Sequence, residues 1–315
     1  MNDIKVSVVI ATHKRCSQLK HAINSALTQS YKCSQIVVVS DGFDSDTDRM
    51  MKQMQIENLS VQYILVDPAQ GGNHARNVGV NATTNDYIAF LDDDDEWHSK
   101  KIERQVKLFK DDNSIGLVCT AYNSVFVDTG KIIRFVPTAE YDNSKKILIR
   151  NNIGSTTSVM IKKAVFLNAG MFDEALKAVQ DYEMWIRLCQ ISKVGVVKEP
   201  SAQYNNDSTV AQISNNTNKY IDAYQYVINK HNKLFSEKLS NAEYKTRISG
   251  MMIAISKKAL RNSEHKIARE YATRAFRLGS YAVAVACYMS SYIPYSLILK
   301  AKSALDRLIK QSVRR

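Results

Sequence analysis

Short apolar runs rich in β-branched residues recur along the first 120 residues, at Val6–Ala11, Ile36–Val39, Val61–Val66, Tyr87–Leu91 and Ile115–Cys119. Each has the length of a buried strand and ends in polar residues. Between the first two runs, Leu19, Ala22, Ile23, Ala26 and Leu27 follow i, i+3, i+4, i+7, i+8, the spacing that gives a helix one apolar face. Similar segments at about 45–57, 72–83 and 98–110 predict the order βαβαβαβ. Strict alternation implies an α/β fold, a mainly parallel sheet flanked by helices. Ligands of such sheets bind at the carboxyl ends of the strands, so the polar residues just after each run are the candidates for chemistry.

Beyond residue 120 the pattern is less regular, with a hairpin expected around Asp128–Gly130, a polar stretch at Asn143–Ser158 and a helix from near Gln180. From about Asn215 the periodicity is helical, and Gly and Pro are scarce until Gly279 and Pro294. The chain therefore reads as a catalytic domain over 1–215 followed by an α-helical region over 216–315.

Charge sharpens that division. Of a formal net charge of +12, residues 216–315 hold 19 Lys and Arg against 6 Asp and Glu, so the whole excess lies in the helical region. Such an imbalance suggests a polyanionic partner, and an anionic lipid surface is preferred to nucleic acid because no recognised nucleic-acid module accompanies the charge. Cys16, Cys33, Cys119, Cys189 and Cys287 are odd in number and form no C-x-x-C pair, which fits a reducing cytosol. The polar start at Met1–Lys5 lacks the layout of a secretory signal.

The strongest chemical signal is Asp92-Asp93-Asp94-Asp95-Glu96, five acids directly after the run ending at Leu91. Carboxylates this close repel unless a cation or solvent relieves them. Mg²⁺ or Mn²⁺ suits the place, because a hard ion takes one or two carboxylates and completes its shell with phosphates and water. A solvated acidic loop capping the helix near His98 is the alternative. Gly71-Gly72-Asn73-His74-Ala75-Arg76-Asn77-Val78-Gly79 opens a helix whose backbone N–H groups, with Arg76, favour an anion such as a diphosphate; the plain alternative is a turn and cap. Asp41 before Gly42, and Thr12 after the first strand, complete a row of strand-end polar groups that could equally serve as turn and cap residues.

Taken in order, these four segments resemble the family-2 glycosyltransferases of the GT-A fold, with their strand-Asp-Gly motif, G-x-x-x-A-R-N-x-G segment and F-L-D-x-D-D loop. The resemblance spans roughly 4–210. It implies that Thr12 and Asp41 line the nucleoside pocket, that Arg76 and Asp92 touch the donor's ribose or phosphates, and that Asp94 coordinates the metal. It also implies that Asp181, within Gln180-Asp181-Tyr182-Glu183-Met184-Trp185, is the catalytic base. Asp181 is otherwise a first-turn helix residue, Glu183 is a second candidate base, and Trp97 and Trp185 are either sugar-stacking or core residues. Two positions depart from the family pattern: Ser40 stands where many relatives have an acid, and Tyr204-Asn205-Asn206-Asp207 lacks their metal-reaching histidine.

The expected activity is inverting transfer of a single sugar from a nucleotide diphosphate donor, UDP-linked, to a saccharide or lipid-linked saccharide in surface-polysaccharide synthesis such as O-antigen or capsule. The processive Q-x-x-R-W signature is absent. A nucleotidyltransferase is disfavoured because Ala11–Cys16 contains no glycine to admit a triphosphate; a non-catalytic scaffold of the same fold is the other rival. Residues 278–299 carry no formal charge, and after Pro294 an apolar stripe of Leu297, Ile298, Ala301, Leu305, Leu308 and Ile309 is ringed by Lys and Arg. That pattern predicts a helix lying in the inner face of the plasma membrane, with a helical bundle packed on the catalytic domain as the alternative.

Overall fold

The computed structural model describes residues 3–127, 130–206, 216–294 and 297–298. In chain order the first part runs β1 (Val6–Thr12), α1 (Cys16–Leu27), β2 (Gln35–Asp41), α2 (Ser45–Glu57), β3 (Val61–Val66), α3 (Gly72–Ala82), β4 (Tyr87–Asp92), β5 (Glu96–Trp97) and α4 (Lys101–Asp111). It continues with β6 (Ile115–Phe126), β7 (Lys131–Phe135), the short α5 (Lys146–Ile149), β8 (Val159–Lys162), α6 (Lys163–Asn168), α7 (Gln180–Ile191) and β9 (Lys193–Asn206). Helices α8 (Thr217–Lys230), α9 (Asn232–Lys238), α10 (Asn241–Arg261), α11 (His265–Arg277) and α12 (Tyr281–Ser290) follow.

The chain divides into two compact units, Met1–Ile147 with Asn151–Asp207, and Leu148–Arg150 with Ser208–Arg315. The first unit is built on one nine-stranded sheet of order β3-β2-β1-β4-β8-β6-β9-β5, with β7 paired to β6. The α/β alternation is as expected for β1 to β4, which are all parallel. The fifth apolar run, β6, enters the sheet by a different route: β8 lies antiparallel between it and β4. Four residues, Val159–Lys162, are too few to stand out in the sequence beside a polar stretch, and β9 follows α7 in a stretch where the βα alternation has already ended. The hairpin joins β6 to β7 from Phe126 opposite Lys131, and residues 128–129 of its turn lie outside the described residues.

Buried Leu19, Ala22, Ile23 and Ala26 of α1, and Ile102, Val106 and Phe109 of α4, pack on one face of the sheet beside Val8, Ile10 and Val38. Helix α3 covers the other face, where Ala75 meets Val37 and Val39. Its approach depends on Gly79: a Cβ there would lie 2.5 Å from Val9 Cγ1 and 3.2 Å from Val39 Cγ2. Side chains cannot share that space, so the last glycine of the 71–79 segment sets how near Arg76 comes to the strand ends.

In the second unit, Ala259, Leu260, Ala268, Ala272, Ala275, Ala284 and Cys287 form a small core among α10, α11 and α12. Ser240 and Glu243 make a reciprocal capping box that starts α10. No helix among the described residues is long and apolar enough to cross a membrane. The stripe beyond Ile298 lies outside the described residues.

Candidate active site

Parallel pairing sets the site. Ala11 registers with Asp92, Thr12 with Ser40, and Asp41 with Val66, so β1, β2 and β4 end at one edge of the sheet. Thr12, Asp41 and Asp92 come together there because they are the residues at which three buried strands run out.

Asp41 is buried and its carboxylate accepts hydrogen bonds from the backbone N–H of Gln70 (2.7 Å) and Gly71 (2.9 Å). It thereby ties β2 to the turn that starts α3, where Gly71 adopts φ 106°. Ser40, at the departure from the family pattern, is buried and donates to the Gly42 carbonyl at 2.8 Å. Next to it, the His13 ring meets the Asp41 carbonyl.

From the Gly72 end of α3, Arg76 reaches the acidic turn and donates to Asp92 at 2.6 Å, a charge-assisted hydrogen bond. From β1, Thr12 donates to Asp93 at 2.7 Å, while Arg15 bridges Asp93 and Asp94, both at 2.9 Å. Asp95 is buried, accepting from Thr157 Oγ1 (2.6 Å) and from the backbone N–H of Asn205 (2.9 Å). Glu96 is exposed and belongs to β5. The five acids therefore do not form a solvated loop: two are enclosed, Asp92 and Asp94 are partly covered, and one faces water.

Enclosure has an electrostatic consequence. Burial raises Asp93 and pushes Asp95 well above the ordinary carboxylate range. Asp94 rises to about 6 through burial and the neighbouring charges of Asp93 and Asp92. Repulsion of this kind persists although Arg15 and Arg76 lie against the turn, which is the situation a divalent cation relieves. Among the described residues, no three His, Cys, Asp or Glu side chains converge as a metal cage. The donor set fits a hard ion that takes a carboxylate at Asp94 and completes its shell with ligand phosphates and water.

Asp181 is the second residue of α7, after Val179 in a left-handed conformation, and its carboxylate accepts from the Tyr182 backbone N–H at 2.7 Å. Burial first, then the negative charge of Asp92, raises it to about 6, with Arg76 opposing. Glu183 is fully buried and held by Arg187 at 2.7 and 2.9 Å, so its lone pairs are spent on an internal ion pair. Trp97 and Trp185 are buried, and their ring N–H groups donate to the carbonyls of Thr157 and Gly154, both at 3.0 Å. They are core residues, not sugar platforms.

Four residues that no sequence motif assigns to the site also hold it together. Thr157 donates to Asp95, accepts from the Asp92 backbone N–H at 3.0 Å and caps Trp97, so one residue straps both ends of the acidic turn. Asn205 donates to the Asp94 carbonyl at 2.8 Å from the segment that lacks a histidine. On α3, Asn77 exchanges hydrogen bonds with the backbone of Phe172 at 2.9 and 3.0 Å, and Asn73 donates to the carbonyls of Asp173 and Leu176. These two asparagines fix the stretch leading into α7 against the helix that carries Arg76.

The model of glycosyl transferase family 2 matches residues 7–174. An uncharacterised glycosyltransferase of Rickettsia prowazekii is 26% identical over 199 residues, and the match covers 60% of this chain and 60% of that protein. The chain thus spans less than two thirds of that relative's length. The amylovoran biosynthesis glycosyltransferase AmsB of Erwinia amylovora is 26% identical over 214 residues, covering 65% of this chain and 71% of AmsB. Among solved structures, residues 1–349 of S. aureus TarS in complex with UDP-GlcNAc superpose with a TM-score of 0.56 at 13% identity, covering 93% of this chain and 92% of that one. At that identity the likeness is one of fold.

Proposed function

The chain belongs to glycosyl transferase family 2, and on that premise we propose that it moves one sugar from a UDP-linked donor to a hydroxyl of a saccharide or lipid-linked saccharide, with inversion. The observation that carries this reading is the convergence at one sheet edge of Thr12, Asp41 and the Arg76–Asp92 pair, where three buried strands run out. Polar and cationic groups gathered there suit a nucleotide diphosphate.

In this scheme Thr12 and Asp41 border the nucleoside and Asp92 and Arg76 meet the ribose or phosphates. Asp181 takes the proton from the acceptor hydroxyl as its oxygen attacks the anomeric carbon, and the bond to the diphosphate breaks on the opposite face. With its acidity at about 6, Asp181 is ionised at neutral pH yet basic enough to accept that proton. Arg76 stabilises charge growing on the leaving diphosphate. Asp94 would hold Mn²⁺ or Mg²⁺, which when bound supplies further positive charge to the leaving group. The UDP and UDP-GlcNAc complexes of TarS support a UDP-sugar donor, and the name of AmsB supports a role in building a polysaccharide.

The finer address in this proposal is cytoplasmic and peripheral, at an anionic membrane surface where a lipid-linked acceptor resides. It is supported by the charge of residues 216–315. The catalytic part is tested by hydrolysis of a panel of UDP-sugars. We expect slow, Mn²⁺-dependent release of UDP that Asp94→Ala abolishes, and equal release by the variant would contradict the scheme.

A further inference from the structure

Helix α12 has an unusual surface. It carries no charged residue from Tyr281 to Ser290, and its contacts with the core of the second unit are made by Ala284 and Cys287. The other apolar side chains face outward: Tyr281 is 60% exposed, Val285 48%, Met289 61% and, just beyond the helix, Tyr292 62%. Positions 281, 285 and 289 follow i, i+4, i+8, so these side chains form one stripe along the helix, with Tyr292 just after its end. A helix that is apolar nearly all round belongs in an apolar environment, and this one presents its larger side chains to the outside.

Beside the stripe, an open apolar groove of about 180 Å³ runs between α11 and α12, lined by Ala272, Thr273, Phe276, Ala284, Val285 and Tyr288. Phe276, itself exposed, packs its ring against Tyr281 at 4.9 Å and continues the apolar surface onto α11.

The edge of this surface is basic. Arg274 and Arg277 are exposed in the last turn of α11. Arg269 lies over the Tyr292 ring at 5.0 Å. Residues 216–315 as a whole hold 19 Lys and Arg against 6 Asp and Glu. An apolar stripe with tyrosines along it and cations around it matches the boundary between acyl chains and anionic headgroups. At 10 residues α12 is about 15 Å long, half the thickness of a hydrocarbon core, so it would lie in the surface instead of crossing it.

We infer that the outer face of α12, with the groove against α11, is the surface by which this chain docks on an anionic membrane. The inference rests on the peripheral placement proposed above and moves the lipid contact from the stripe after Pro294 onto a helix of the second unit. Basic residues draw the unit to the headgroups, the stripe inserts among the upper acyl segments, and the groove receives an acyl chain.

Co-sedimentation of the full chain with phosphatidylcholine vesicles, with and without phosphatidylglycerol, tests it. The unaltered protein should bind the anionic vesicles, and Val285→Asp with Met289→Asp should weaken binding by about tenfold or more. The paired control Val285→Ile with Met289→Leu should bind like the unaltered protein, and both variants should keep UDP-sugar hydrolysis and their melting temperature. Equal binding by the aspartate variant would overturn the assignment of this face while leaving the membrane reading intact. Failure of the unaltered chain to bind either vesicle would overturn both. A dimer in light scattering that the aspartate variant dissociates would show that a second copy covers the face, and would also overturn the assignment.

Discussion

In the first unit Asp93 and Asp95 are withdrawn from water although a carboxylate is more stable there, whereas in the second unit Tyr281, Met289 and Tyr292 stand in water although their side chains are more stable out of it. The two regions are mirror images in solvation. Each departs from the ordinary rule that charges face out and apolar groups face in. The first is sustained by a dense polar scaffold of Thr12, Arg15, Thr157 and the Asn205 backbone, which holds the acids in place against their repulsion. The second is an uncharged helix held by two small side chains, with its surface left over. Departures with a scaffold point to a small charged ligand, and those without one point to an extended apolar surface.

The comparison sharpens most at Asp181. Asp181→Asn keeps the shape and removes the base, so transfer should fall by about 10²–10⁴-fold in kcat. Donor affinity, read by titration calorimetry with the UDP-sugar, should stay nearly unchanged; retained transfer would assign the proton to another group. Glu183→Gln should instead lower the melting temperature, because it strips the buried partner from Arg187.

Next in size is Thr157→Val, which keeps volume and deletes the hydroxyl that straps the acidic turn. The buried Asp95 carboxylate and the half-buried Asp92 N–H each lose a partner, the first at about 1–3 kcal/mol by denaturant titration. Thr157→Ser should restore most of the loss. If Thr157→Val melts like the unaltered protein, the acidic turn is not held by that scaffold.

The smallest effect is on pH. Asp181 in the native state is raised from 3.8 to about 6, so the fold binds that proton more tightly than the unfolded chain. Its contribution therefore favours the fold at low pH and is lost as pH rises through about 6. Asp181→Asn should melt a little higher than the unaltered protein at neutral pH, with the difference vanishing below 3.8. Transfer should run the other way, declining as pH falls below about 6 because the base is protonated.

The strand-end residues were legible because each sits directly after an apolar run, where chain order alone places it at the sheet edge. Arg76 was legible because a glycine turn announces the helix that carries it. Asp181 and Glu183 could not be told apart in the sequence, since they lie two apart on α7; the fold distinguishes their surroundings, Glu183 being held by Arg187 and Asp181 accepting from the Tyr182 backbone N–H. Thr157 and Asn205 were hidden in stretches without periodicity, since a short antiparallel β8 and the long β9 bring them to the turn from 62 and 110 residues away. The apolar face of α12 looked like a core or membrane segment in the sequence, because hydropathy reports what a helix prefers and not which of its sides the neighbouring helices cover.

The proposal turns on whether Asp94, in the turn at 92–95, would hold a divalent ion that supplies positive charge beside the donor's diphosphate. Calorimetric titration of UDP, with Mn²⁺ and with EDTA, into the unaltered protein and Asp94→Ala tests it most directly. The account predicts that Mn²⁺ tightens UDP binding in the unaltered protein and leaves Asp94→Ala unaffected; the same UDP affinity in all four titrations would contradict it.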